Sequence, residues 1–401
     1  MNGRSLKAGL MLMSAPAISM ARLAPVTGAR AQDEVDFDLH GLASVRLLGA
    51  SPTDVAVVRR QLGLVQASLD RQPDIVIRFV DRLPTRSRLR YVGVGEAAFT
   101  EDAFLVLRSK HKAPARVEIA FTQIGESVEI VCERGLPAVP FLIPILNLTV
   151  LARGVLPLHA SAFVHDGTGA VATGWTKGGK TEALLAFAAR GAEYVGDEWV
   201  YVTADGSRVH GIPEPIRIWG WHLRQLPQYE ALVSRADRTR LRAIELFLGA
   251  ERALRRVRPG RGPAGAVTRL APLLKRQHFV DIEPERLFGR VGAQSAAFDR
   301  LFFLVSSDSP EIAVEPVDPL DVGERMVFSL QHERLDFTAA YLKYRFAFPA
   351  AANPFIEQLE ELQRKALAQA FAGKPAFVVH HPYPCSLDAL FEAMSPHCES
   401  R

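Results

Sequence analysis

Gly174-Trp-Thr-Lys-Gly-Gly-Lys-Thr181 is the stretch on which the reading of this chain turns. It follows Ala170-Val-Ala-Thr173, which reads as a strand, and leads into Glu182-Ala-Leu-Leu-Ala-Phe-Ala-Ala-Arg190, which reads as a helix stopped by Gly191. Strand, GxxxxGK[ST], helix is the context in which a loop wraps phosphate. The residue types follow from the chemistry. Gly174, Gly178 and Gly179 let the backbone turn its N–H groups toward phosphate oxygens at a helix N-terminus, where the dipole adds attraction. Lys180 supplies a point charge for β- and γ-phosphates, and the Thr181 hydroxyl is a natural ligand for Mg²⁺. Trp175, Thr176 and Lys177 complete the loop, with the Trp175 ring expected to be buried. Lysine is scarce, nine against 39 arginines, yet two of the nine fall in this octapeptide. The pattern points to a bound nucleotide, ATP with Mg²⁺.

Outward from the loop, Leu156-Pro-Leu-His-Ala-Ser-Ala-Phe-Val164 reads as a strand and Asp166-Gly167-Thr-Gly169 as a hairpin turn into the strand before the loop. On the other side, Glu193-Tyr-Val-Gly-Asp197-Glu198-Trp-Val-Tyr-Val202 reads as a strand ending in adjacent carboxylates, then a further strand. A carboxylate at such a strand end holds Mg²⁺ or accepts the proton of an attacking hydroxyl, and two acids allow both.

Leu158-His159-Ala-Ser-Ala, the hairpin, the loop, Ala189-Arg190-Gly191 and Asp197-Glu198 together resemble the C-terminal domain of HPr kinase/phosphorylase. His159 lies 15 residues before Gly174 and Asp197 lies 23 after it, as in that family. The likeness covers about 60 residues, Leu156 to Pro215, with Gly211-Ile-Pro-Glu-Pro-Ile-Arg217 as a looser echo. It implies an α/β fold, a phosphoenolpyruvate carboxykinase-like P-loop kinase domain with a mixed sheet, and transfer of the ATP γ-phosphoryl group to a hydroxyl, that of a serine in a peptide or protein. Carried over, Lys180 holds phosphates, Thr181 holds Mg²⁺, Asp197 is the base, Glu198 and Asp197 support the metal, and His159 tunes Asp197 or contacts the γ-phosphate. A homo-oligomer is a further implication. Two departures stand out: Glu198 replaces the family's usual Asp, and its later glutamate-x-arginine-glycine signature has no clear counterpart near Trp219-Gly-Trp221-His222. Phosphorylase activity is therefore not expected. The alternative to a kinase is a nucleotide-binding regulatory or scaffold module that has lost transfer.

The 401 residues predict three regions: a leader over 1–35, a small α+β domain over 36–150, and the ATP-binding domain over 151–401 with an arginine-rich insertion near 235–265. Arg4 and Lys7 before an apolar run, then Ala29-Arg-Ala31, outline a secretory signal. Ser14, Pro16, Ser19, Arg22 and Arg30 break that outline, so a leader without fixed structure before a start at Met20 is the alternative. In the second region a helix over Thr53–Leu69 precedes strands at Asp74–Val80, Ala103–Arg108, Arg116–Phe121 and Ser127–Val131. Ala138–Leu151 is the nearest approach to the ~18 apolar residues of a membrane span, but Pro140, Pro144 and Asn147 interrupt it. Three cysteines without metal or disulfide spacing suit a reducing, cytoplasmic compartment. Arg235 to Arg261, read as helical up to Arg258, holds nine arginines and three acids, net +6, more than the +4 of the whole chain. The basic surplus thus belongs to one segment, and nucleic acid is disfavoured as a general partner. Farther on, Leu301–Val305 reads as a buried strand, Asn353-Pro354 opens a helix to Phe371, and Ala376–His380 with a helix over Ser386–Met394 forms a terminal element. His165, His210, His222 and His380-His381 are expected at turns or on the surface.

Overall fold

The computed structural model describes residues 34–63, 68–85, 87–108, 114–257 and 270–399. The leader, the end of the 53–69 helix and the break at Pro259–Pro263 lie outside the described residues or straddle their limits. The protein is mixed α/β. Its first sheet has eight strands, β1 (Glu34–Leu39), β2 (Ala43–Leu48), β3 (Ile75–Val80), β4 (Arg90–Val92), β5 (Ala97–Phe99), β6 (Phe104–Arg108), β7 (Pro114–Ile119) and β8 (Val128–Glu133). Their spatial order is β1-β2-β3-β8-β7-β6-β5-β4, with β2, β3 and β8 parallel to one another. Period-two burial along β3 and β7 puts one face of this sheet into a core. Helix α1 (Pro52–Leu62) is opened by a Ser51/Asp54 capping box and stops at Gly63, whose φ of +76° ends it seven residues before Leu69.

The second sheet carries the loop. It comprises β9 (Leu156–His165), β10 (Thr168–Gly174), β11 (Glu193–Gly196), β12 (Trp199–Val202), β13 (Arg208–Gly211), β16 (Ser295–Ala297), β17 (Arg300–Ser306), β18 (Ala313–Pro316) and β19 (Ala376–His381). A separate pair, β14 (Ile216–Trp219) and β15 (Phe279–Ile282), lies off it. The main order is β16-β13-β12-β9-β10-β17-β19-β18, with β11 also on β9. Strands β10, β17 and β19 are parallel, so Gly174, Ser306 and His381 end at one edge. Asp166 and Gly167 both have positive φ, the conformation of a two-residue turn matched to strand twist, and they close the β9–β10 hairpin in register at His165 and Thr168. The terminal strand β19 packs back into this sheet, between β17 and β18.

Both faces of this sheet are covered. Helix α3 (Lys180–Ala188) lays Leu184 and Phe187 on Phe163, Ala170, Ala172 and Phe302. The Phe163 and Phe187 rings stack at 4.4 Å, and burial of such a side chain contributes about 1.5–3 kcal/mol. On the opposite face the helix Pro319–Glu333 brings Val322, Met326 and Leu330 against Val171 and Leu301. That helix and its successor, Leu335–Ala347, escaped the sequence reading. The latter packs Phe337, Tyr341 and Tyr344 into the core of the first sheet, where Phe121 and Tyr344 stack at 5.1 Å, so the two regions share one core. The apolar run at the end of the second region is a buried helix, α2 (Leu142–Ala152), and its Asn147 is satisfied by the Tyr201 hydroxyl at 3.2 Å. Among the described residues no helix is long and apolar enough to cross a membrane. All three cysteines are buried and unpaired. Asn353 caps the next helix as expected, but the helix breaks at Gln358 into Pro354–Glu357 and Leu359–Phe371.

Candidate functional site

The loop owes its shape to residues that could not carry a side chain. A Cβ at Gly174, where φ is +156°, would lie 2.6 Å from the Leu304 carbonyl oxygen of neighbouring β17. A Cβ at Gly179, at φ +105°, would lie 2.6 Å from the His381 ring. Gly178 N–H donates to the Trp175 carbonyl at 2.9 Å, tightening the turn before α3. Lys180 is 6% exposed and donates from Nζ to the same carbonyl at 2.9 Å. Burial lowers its pKa, against the pull of Glu198, Asp197, Glu333 and Glu182. Four carboxylates close enough to act on one buried ammonium mark a strongly polar centre under the loop. Thr176 is half-buried, and Lys177, at φ +61°, is exposed at the loop tip.

Asp197 and Glu198, adjacent in sequence, are aimed at different partners. Glu198 has φ +63° and Trp199 N–H reaches back to the Asp197 carbonyl at 2.7 Å, so the chain bulges tightly between β11 and β12, which run on in one direction along β9. A left-handed conformation at a non-glycine residue costs about 1–3 kcal/mol and is retained where the surroundings over-determine it. The buried Asp197 accepts hydrogen bonds from Thr181 Oγ1 (3.1 Å to Oδ2) and from Ser161 Oγ. Burial and the adjacent Glu198 charge push its pKa up to about 6, opposed by the Ser161 and Thr181 hydrogen bonds. Glu198 faces His159, with Nε2 and Oε2 3.0 Å apart. Its side chain is 54% open to solvent yet enclosed by protein on most sides, as at the floor of a cleft. Solvent access decides which groups a substrate reaches, so Glu198 counts as accessible and Asp197 does not.

His159 has a second carboxylate. Glu333, the last residue of its helix, places Oε1 3.1 Å from Nδ1, an ion-pair distance at an angle outside hydrogen-bond geometry. Burial pulls the His159 pKa down, but Glu198 and Glu333 outweigh it and hold the ring above its usual value. Both carboxylates are lowered in turn: burial raises each, and His159 together with Lys180, joined at Glu198 by Arg217, reverses it. Glu214, half-buried, is pushed well above its ordinary value by burial and by the Glu198 and Asp197 charges.

Three sequence expectations are corrected here. Trp175 is half exposed, its ring 4.9 Å from His332, because the loop lifts it off the sheet onto the end of the Pro319–Glu333 helix. His222 and His381 are fully buried rather than at the surface. His381 Nε2 sits 2.8 Å from the Gly178 carbonyl, clamping the loop from β19. His222 Nδ1 accepts from Trp219 N–H at 3.1 Å, which puts its proton on Nε2, facing Glu182 Oε1 at 3.1 Å. Glu182 is thereby held in the first turn of α3, where a negative charge is favoured. Ser161 and Glu182 adjoin residues already singled out and could have been found by proximity. Glu333 and His381 carry no such signal.

The arginine-rich segment is a helix, Arg235–Val257, and its cations are partly spent. Arg240 donates to the Gln277 and Phe279 carbonyls at 3.0 and 2.8 Å, while Arg238 and Arg242 line a separate cavity of about 260 Å³ with Glu230 and Glu245. Among the described residues no three His, Cys, Asp or Glu side chains are grouped to hold a metal unaided. Thr181 and Asp197 are nevertheless hard oxygen donors in contact, a set that suits Mg²⁺ when nucleotide oxygens complete its shell. No family model matches the chain, and no curated protein sequence matches it.

Proposed function

We propose that the chain is an ATP- and Mg²⁺-dependent kinase of the HPr kinase-like class, with a phosphoenolpyruvate carboxykinase-like P-loop domain, acting on a hydroxyl such as that of a peptide serine. The observation that carries the reading is the Thr181–Asp197 contact directly beneath a glycine loop closed by Lys180. In P-loop enzymes a loop hydroxyl and a strand-end carboxylate work together at the nucleotide.

Loop N–H groups and Lys180 would bind the phosphates, Lys180 exchanging the Trp175 carbonyl for phosphate oxygen. Thr181 and Asp197 would hold Mg²⁺, which when bound would supply positive charge to offset that of the phosphates. Glu198, the accessible acid, would receive the proton of the attacking hydroxyl. These two roles fall the other way round from those the resemblance implies, because Asp197 is occupied by Thr181 and Ser161 and closed to an incoming acceptor. His159, paired with Glu198 and Glu333, would orient Glu198 and, in its protonated form, place positive charge near the transferring group. Trp175 and His332 form an exposed aromatic lip on that side, where the acceptor's carrier would rest.

The test is nucleotide binding and turnover by wild type, Lys180→Ala and Glu198→Gln. The reading predicts that Lys180→Ala loses ATP binding, whereas Glu198→Gln binds ATP normally and fails to consume it. ATP consumption by both variants at the wild-type rate would refute it.

A further inference from the structure

The same edge of the sheet places a second element of the nucleotide. Strand β10 ends at the loop, and its neighbours divide the edge in two. On one side lie β9, β12 and the group His159, Glu198 and Glu333, to which a transferring phosphoryl must point. On the other side lie the ends of the parallel strands β17 and β19. Ligands of such sheets lie across the carboxyl ends of parallel strands. A nucleotide with its terminal phosphate toward Glu198 therefore runs in the opposite direction, over Ser306-Ser307 and His381–Tyr383.

Tyr383 meets it there. Its ring is 43% exposed, two residues beyond the histidine that clamps Gly178. Behind it Trp221 makes an edge-to-face contact at 5.9 Å and an interplanar angle of 84°. Trp221 in turn lies 4.0 Å from the buried His222 ring, which is tied to Glu182 of α3. The exposed ring is thus mounted on a stack joined to the loop helix through Glu182. Ser307 gives the second observation. Its N–H donates to the His381 carbonyl at 2.8 Å, while its Oγ is buried without a hydrogen-bond partner. An unpaired hydroxyl and an exposed aromatic face on one sheet edge suit a flat, polar-edged ring.

We propose that Tyr383, backed by Trp221 and on the same sheet edge as Ser307, is the base subsite of a nucleoside triphosphate whose phosphates occupy the loop. The inference rests on the phosphate-binding reading of the loop. Titration calorimetry with Mg-ATP and with Mg-tripolyphosphate separates the two. Tyr383→Ala should lose roughly tenfold or more in ATP affinity, the scale of one aromatic–base stack, with tripolyphosphate affinity kept within about twofold. Tyr383→Phe should bind ATP like wild type, and Lys180→Ala should lose both ligands. The subsite is overturned if Tyr383→Ala binds ATP like wild type, if it weakens both ligands equally, or if wild type binds tripolyphosphate as tightly as ATP. If wild type binds neither ligand, it is the loop reading that fails, and the subsite with it.

Discussion

Thr181 donates its hydroxyl to Asp197 Oδ2 at 3.1 Å, joining the first turn of α3 to the end of β11. Each variant, Thr181→Ala and Asp197→Asn, removes one hard oxygen donor from the pair. The Mg²⁺-dependent part of ATP affinity should fall about 10–100-fold in both. Calorimetry with Mg²⁺ and with chelator checks this, since a loss of the same size in chelator would assign the pair to folding instead.

The carboxylates on either side of His159 predict a pH dependence with a definite sign. A histidine raised in the folded state adds stability that is complete below its unfolded value of about 6.5 and is lost as pH rises through the folded value. Wild type should therefore lose urea resistance as pH rises above about 6.5 through the folded value. Glu333→Gln should lower the His159 pKa and flatten that loss. Ring-proton NMR of His159 in the two proteins measures the shift, and an unchanged titration would remove Glu333 from the account.

His381 and Gly179 make a paired prediction. His381→Ala leaves the Gly178 carbonyl without its partner and should cost about 1–3 kcal/mol, together with weaker ATP binding. Gly179→Ala forces a side chain to φ +105° and against the imidazole. Because both act on one contact, the double variant should lose less than the sum of the single losses. Denaturation of the four proteins closes the cycle, and additive losses would show that the clamp is not shared.

The loop itself was legible because its chemistry is local. Glycines, lysine and threonine at fixed spacing, a two-residue Asp-Gly turn and adjacent acids at a strand end each state their conformation within a few residues. The contacts that arm the site are not local. Glu333 reaches His159 across 174 residues and His381 reaches Gly178 across 203, and neither neighbourhood has a composition that announces it. The same limit hid the shared core, since Phe337 and Tyr344 sit in ordinary amphipathic spacing and only the fold sends them to Phe121. Expecting His222 at the surface failed for a related reason. Nothing in Trp219-Gly-Trp221-His222 announces the buried Glu182, 40 residues away, that meets the ring.

Asp74 predicts acid sensitivity in the first sheet. It takes hydrogen bonds from Ser44 N–H and Oγ at 2.8 and 2.9 Å and pairs with Arg71 and Arg153. Burial raises its pKa, but Ser44 and Arg153 outweigh that and hold it below the usual value. Its contribution is present above the unfolded value of about 3.9 and disappears as pH falls through the folded one. Asp74→Asn should cost about 2–4 kcal/mol at pH 7, and less as the wild type itself is acidified below pH 4. Urea midpoints at pH 7 and pH 3 check this, with a pH-independent penalty as the contrary result.

Phosphoryl transfer is the measurement that bears most directly on the whole account. With γ-labelled ATP, Mg²⁺ and a serine-containing peptide library, wild type should label peptide. Glu198→Gln should bind ATP with unchanged affinity and label at least 100-fold more slowly, the scale of a lost general base. Tight ATP binding by wild type with no labelled peptide and no ADP formed above the Glu198→Gln level would contradict the kinase assignment and leave a nucleotide-binding module.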